Sequence, residues 1–177
     1  MMKKILIFFT MLFLLVSCGK PGSQKAFEGY IKDLKSADQA TMKSFLENDS
    51  ENPAVDKFMD FYVDFFKKVD YKVLSVKENG DESILEVEMK APNILEPFAD
   101  IFTEGIGMAF SGASEEDMEK FFYDSINNIL TSKDLEYISG TIPVYMRKKD
   151  GDWVISRESN SEFFLYLTGG LSGFGTE

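Results

Sequence analysis

Of 177 residues, 30 are acidic, 19 are basic and none is histidine, giving a net charge of −11 at pH 7. That surplus repels phosphate backbones and anionic headgroups, which excludes nucleic acid as a partner. Without imidazole, Ser-His-Asp hydrolysis, Cys-His chemistry and histidine-built zinc sites are excluded as well, so any acid–base catalysis falls to carboxylates, lysine or tyrosine.

Lys3 and Lys4 precede the apolar run "ILIFFTMLFLLV", and no acid occurs before Cys18. A basic start, an apolar run and then small residues form the pattern of a secretory signal. The run is about a dozen residues, short of the ~20 that a helix needs to span a hydrocarbon core. Leu15-Val16-Ser17-Cys18 then resembles the lipobox of bacterial lipoproteins. The resemblance implies a diacylglycerol on the Cys18 thiol, cleavage between Ser17 and Cys18, and removal of residues 1–17 as a signal peptide. The expected location is the cell envelope outside the cytoplasm, on the outer leaflet of the plasma membrane or on an outer membrane. Each buried acyl methylene contributes about 0.8 kcal/mol, and two or more chains hold firmly. With residues 1–17 removed, 17 basic and 30 acidic side chains remain, a net charge of −13. Attachment therefore has to come from the acyl chains and not from a basic patch. Cys18 is the only cysteine, so stability must come from packing without a disulfide.

Residues 18–25 read as the lipidated cysteine and a flexible tether, with "GKPGSQ" running from Gly19 to Gln24. Ala26, Phe27, Tyr30, Ile31 and Leu34 follow at helical spacing. Ser36, with Gln39 three residues on, predicts the capped start of a second short helix carrying Met42, Phe45 and Leu46. Asn52 and Pro53 predict the start of a third helix, whose stripe is Val55, Phe58, Met59, Tyr62, Phe65, Phe66 and Val69.

At Tyr71 the period changes to two. Runs on either side of Asn79-Gly80 predict a hairpin, with Leu85, Val87 and Met89 on its buried face. Glu78, Asp81 and Glu82 at the turn lack the ligand spacing of a helix-loop-helix calcium site. Helical spacing returns with Leu95, Phe98, Ile101, Phe102 and Met108 on one side, interrupted by Gly105 and Gly107. Ser114 caps a further helix whose first turn holds Glu115, Glu116 and Asp117, and whose stripe is Met118, Phe121, Phe122, Ile126, Ile129 and Leu130. A second hairpin turns at Asp150-Gly151, with Ile142, Val144 and Met146 sharing a face and Trp153 and Ile155 sharing another. Pro143 within its first strand requires an edge or a bulge.

The expected fold is α+β: an antiparallel sheet of two hairpins, at about 71–90 and 140–158, with amphipathic helices on one face. One globular domain spans 26–168, and a glycine-rich tail spans 169–177. "YIKDLKSADQATMKSFLEN", "YKVLSVKENGDESILEVEMKAPN" and "VYMRKKDGDWVISR" together resemble small cone-shaped domains of the cystatin-like superfamily, related to nuclear transport factor two. The resemblance covers roughly Ala26 to Glu158, and the helices between Ala91 and Leu135 depart from its pattern. It implies a curved sheet around helices with an apolar pocket, for which Tyr30, Phe58, Tyr62, Phe65 and Trp153 are the candidate lining.

The expected function is a non-catalytic, lipid-anchored module for an apolar small molecule or an envelope protein, attached to the membrane through Cys18. No catalytic, metal-binding or cofactor-binding residue is assigned. Two alternatives stand beside it. One is a cavity enzyme of isomerase or cyclase type using carboxylate and tyrosine groups, as some cone-shaped relatives do. The other is a purely structural or antigenic surface lipoprotein.

Overall fold

The computed structural model of the protein describes residues 19–45 and 53–171, with side chains described for 19–42 and 58–171. Cys18, Leu46 and Asn52 lie outside the described residues, as do the side chains of Phe45 and Val55. The order is α1 (Gly22–Ser36), α2 (Gln39–Phe45), α3 (Pro53–Lys67), β1 (Asp70–Asn79), β2 (Glu82–Pro92), α4 (Leu95–Phe110), α5 (Glu115–Ile129), β3 (Tyr137–Lys149), β4 (Asp152–Ile155) and α6 (Ser161–Leu167). A short 3₁₀ turn, Arg157–Ser159, precedes α6.

The strands form one antiparallel sheet in the order β1-β2-β3-β4. Both hairpins therefore belong to a single sheet, joined by the β2–β3 ladder that runs from Glu82↔Arg147 to Pro92↔Tyr137. Along β2 the pleat turns Ser83, Leu85, Val87, Met89 and Ala91 inward and leaves the alternate residues exposed. Ile142, Val144 and Met146 continue that inner face on β3. Helices α1 and α6 lie against the sheet, and α3 packs on α1. Phe27, Phe65, Phe66 and Phe163 are fully buried there, each contributing roughly 1.5–3 kcal/mol by leaving water.

Each tight turn uses backbone conformations that favour glycine. Asn79 pairs with Glu82, so Gly80, with φ +61°, opens a two-residue loop. At the other hairpin Asp150 (φ 55°) and Gly151 (φ 96°) both occupy the left-handed region, as an Asp-Gly turn predicts. A bulge between Val73 and Ser75 leaves Leu74 unpaired and exposed.

Pro143 faces β2 at Glu86, on a stretch of β3 that β4 does not reach. Its missing N–H thus falls on the open edge, as the sequence required. Two residues further on, the same edge is completed by a side chain. The Tyr145 amide donates to Asn160 Oδ1 at 2.8 Å, and Asn160 Nδ2 donates to the Tyr145 carbonyl at 2.9 Å and to the Ser156 carbonyl at 2.8 Å. The Asn160 carboxamide stands in for a strand where β4 has ended.

Three expected boundaries are corrected. The tether assigned to 18–25 is shorter, because α1 starts at Gly22 and Ser23 is buried in its first turn. The Ser23 hydroxyl donates to Glu78 Oε2 at 2.9 Å and accepts from Ser83 Oγ at 2.8 Å, while its amide donates to the same carboxylate oxygen at 3.3 Å. A carboxylate on the free amides of a helix start is stabilising, which is what nucleates the helix this early. Trp153 closes over the joint: a Cβ at Gly22 would lie 3.0 Å from its indole nitrogen.

Helix α2 is capped by Asp38 rather than Ser36. The Thr41 amide donates to Asp38 Oδ1 at 2.9 Å, and this bond holds the carboxyl below its ordinary range. Finally, Gly169, assigned to a tail, belongs to the packed domain. Gly169 packs on Ile94 and Phe65, and its carbonyl accepts from the Ile94 amide at 3.0 Å.

Candidate functional site

Between β2 and β3 the chain leaves the sheet and returns to it as a helical hairpin. Its base is closed where the Asn93 amide donates to the Glu136 carbonyl at 2.9 Å. This base is at the end of the sheet opposite the two tight turns, because β2 runs from Glu82 at the turn to Pro92 at the arm. Near the base the arm is fastened to the body. Phe98 meets Phe61 edge to face at 5.7 Å, and Ile129 and Leu130 are buried.

Farther out the two helices hold each other. Gly105 is buried, and a Cβ there would collide with Phe122 Cζ, so the ring of α5 sits directly on the backbone of α4. Gly107 faces open space and serves no such contact. At the tip, Gly112 turns the chain with φ +81°, and Ser114 accepts from the Asp117 amide at 3.1 Å as the expected cap.

The single apolar side expected for α4 is divided in the structure. Phe98 and Ile101 pack toward the core, whereas Leu95 and Phe102 are exposed. Phe102, Ile106 and Phe110 recur every four residues and so share one helix face, with exposures of 63%, 44% and 90%. Sequence reasoning grouped Phe102 with the buried stripe and did not single out Ile106 or Phe110. The signal was available: apolar residues occupy more of α4's circumference than a single helix neighbour can cover. Glu96, Asp100 and Glu104 form a second row of the same spacing on α4. From 93 to 136 the arm holds ten acidic and two basic side chains.

Three surface recesses are described, and all open to solvent. One of about 530 Å³ at the arm's base is lined by residues including Asn93, Glu96, Asp100 and Asp134. Another of about 700 Å³ lies between the end of α3 and the 130–137 loop, beside Lys67, Lys68 and Tyr137. The third, about 260 Å³, is on the outer face of the sheet near Ile84 and Pro143. Among the described residues, no group of three or more carboxylate, thiol or imidazole side chains is placed to hold a metal ion.

The expected pocket lining is brought together only in part. Phe58, Tyr62 and Phe65 do meet, at ring distances of 5.0 Å and 5.8 Å along α3, but as part of the core. Tyr30 packs on Phe163 at 6.2 Å, and Trp153 sits at the start of α1. None of the five lines any of the three recesses.

Burial pushes the Tyr62 hydroxyl up to about 12 and the Tyr30 hydroxyl higher still. A tyrosine raised in the folded state keeps its full stabilising effect below the unfolded value near 10 and loses it as pH climbs through the folded value. Unfolding free energy should therefore decline between pH 10 and about 12. Tyr62→Phe should flatten part of that decline, measured by urea denaturation across the range; an unchanged slope contradicts it.

No family model matches the chain, and no curated protein matches it. Among solved structures it is similar to the crystal structure of a candidate lipoprotein (ycdA) from Bacillus subtilis, with a TM-score of 0.53 and 16% identity. The match covers 84% of this chain and 55% of that one, so the chain spans about half that protein's length. At this identity the likeness is one of fold.

Proposed function

We propose that the protein is a lipid-anchored component of the cell envelope, held by acyl chains on Cys18, whose domain is a non-catalytic interaction module for an envelope protein. The observation that carries the module reading is the exposed row Phe102, Ile106 and Phe110 on an arm whose outer part packs on itself. A soluble domain rarely leaves such aromatic surface in water without a use for it. The recesses are open and partly polar, which favours a protein partner over an enclosed apolar molecule. The buried tyrosines sit in core packing instead of lining a cavity, which supports binding over acid–base chemistry.

Anchoring is supported by the lipobox-like Leu15-Val16-Ser17-Cys18 and by the description of the Bacillus subtilis neighbour. We read the sheet-on-helices body as that of the cone-shaped superfamily, with the arm as an insertion between two paired strands.

In cells, the parent chain should partition into the detergent phase of a cloud-point extraction, and Cys18→Ser should move it to the aqueous phase. A photo-crosslinking residue at Ile106 should yield a discrete protein adduct that the same residue at exposed Lys32 does not. Unchanged partitioning removes the anchor, and identical adducts from both positions remove the module.

A further inference from the structure

The arm combines two properties that seldom occupy one element. Phe102, Ile106 and Phe110 form an apolar ridge, and Phe110, the most exposed large apolar side chain described, ends it beside the turn. Acidic groups share the arm with that ridge, on a different face of α4 and at the start of α5. Glu96, Asp100 and Glu104 run along the same helix, while Glu115, Glu116 and Asp117 open α5 just past the tip. Ten acidic side chains face two basic ones over 93–136, so the arm holds a charge of −8 within a mature chain of −13.

That charge decides among occupants. A second copy would bring an equally acidic arm against this one, and an anionic bilayer would repel it. A small apolar ligand needs enclosure, whereas a ridge is convex. A segment with apolar side chains on one face and cations around them meets both properties at once: burial supplies affinity, and opposite charge supplies encounter rate and register.

We infer that the arm docks a basic amphipathic segment of a partner protein along Phe102, Ile106 and Phe110. This rests on the interaction role proposed above and specifies the partner's chemistry.

The test uses the lipidated full chain in phosphatidylcholine nanodiscs, with empty discs as reference. Two labelled helical peptides of the same apolar pattern are compared by fluorescence anisotropy, one built of leucine and lysine and the other of leucine and glutamate. The leucine–lysine peptide should bind at least roughly tenfold more tightly, and raising the salt should weaken it. Phe102→Ser, Ile106→Ser and Phe110→Ser together should cost roughly tenfold or more in affinity, with an unchanged circular dichroism spectrum. If that variant does not fold, Phe110→Ser alone, at the most exposed of the three positions, should still weaken the same peptide several-fold.

Undiminished binding by the serine variant shows charge alone at work and overturns the inference. Equal binding of both peptides, binding of neither, arm-dependent binding to anionic vesicles, or arm-dependent self-association in sedimentation also overturns it. Should the peptide fail while the Ile106 crosslink persists, the partner's chemistry is wrong and the interaction role stands. Loss of both removes both.

Discussion

Asn160→Ala should lower the unfolding free energy by about 3 kcal/mol, since each buried polar group left without a partner costs roughly 1–3 kcal/mol. Asn160 is 2% exposed and its carboxamide makes three hydrogen bonds, two to Tyr145 and one to Ser156. Alanine removes all three together, on a strand edge that β4 no longer covers. Asn160→Asp is the informative companion. It keeps an acceptor for the Tyr145 amide but turns a carboxylate toward two carbonyl oxygens, so its deficit should shrink at acid pH, where the protonated form regains a donor. Urea denaturation with matched slopes measures both. A loss below about 1 kcal/mol for alanine would falsify the edge-completing role, because water would then be replacing the carboxamide at little cost.

Gly169→Val should destabilise by about 3–5 kcal/mol, from left-handed strain and overpacking of roughly 1–3 kcal/mol each. At φ +61° a β-branched residue is strained on its own account. The added carbon would also meet Ile94 Cγ1 at 2.5 Å and Phe65 Cε2 at 2.8 Å, and both neighbours are fully buried. Because the Gly169 carbonyl holds the Ile94 amide, the displacement should loosen the arm's base as well as the core. Gly112→Val separates the two effects, since its φ of +81° is equally left-handed but no atom lies in the way. Its cost should stay near the strain term of about 1–3 kcal/mol. Equal melting-point losses for both variants would show that collision at Gly169 contributes nothing.

The hairpins and the core helices were legible because their signals are local. Alternation along β2 and the Asp150-Gly151 turn need no knowledge of the rest of the chain, and the Pro53 helix start follows from its own missing N–H. What escaped were features made by distant residues. Ser23 became a helix start through Glu78 and Ser83, more than fifty residues away, and nothing in "GKPGSQ" announces them. Nothing local marks Asn160 as completing a strand edge, because its partner Tyr145 lies fifteen residues back. The apolar content of α4 was visible, but which side α5 would cover was not, so Phe102 was grouped with the wrong face. The five residues expected to line a pocket lie in or against the core, and the sequence could not show this for a related reason: aromatic spacing marks a buried face without showing whether that face meets a cavity or other rings.

The joint at Ser23 has a consequence for posture. From Cys18 to Gly22 is four residues, a reach of at most about 14 Å even fully extended, and beyond it the chain is riveted by Glu78, Ser83 and Trp153. Lys20 shortens the slack further by folding back onto Glu28 at 2.6 Å. Under the anchoring proposed at Cys18, so short a span would keep the two tight turns at the membrane end of the domain, and the eleven residues of β2, roughly 36 Å long, would set the root of the acidic arm at the far end.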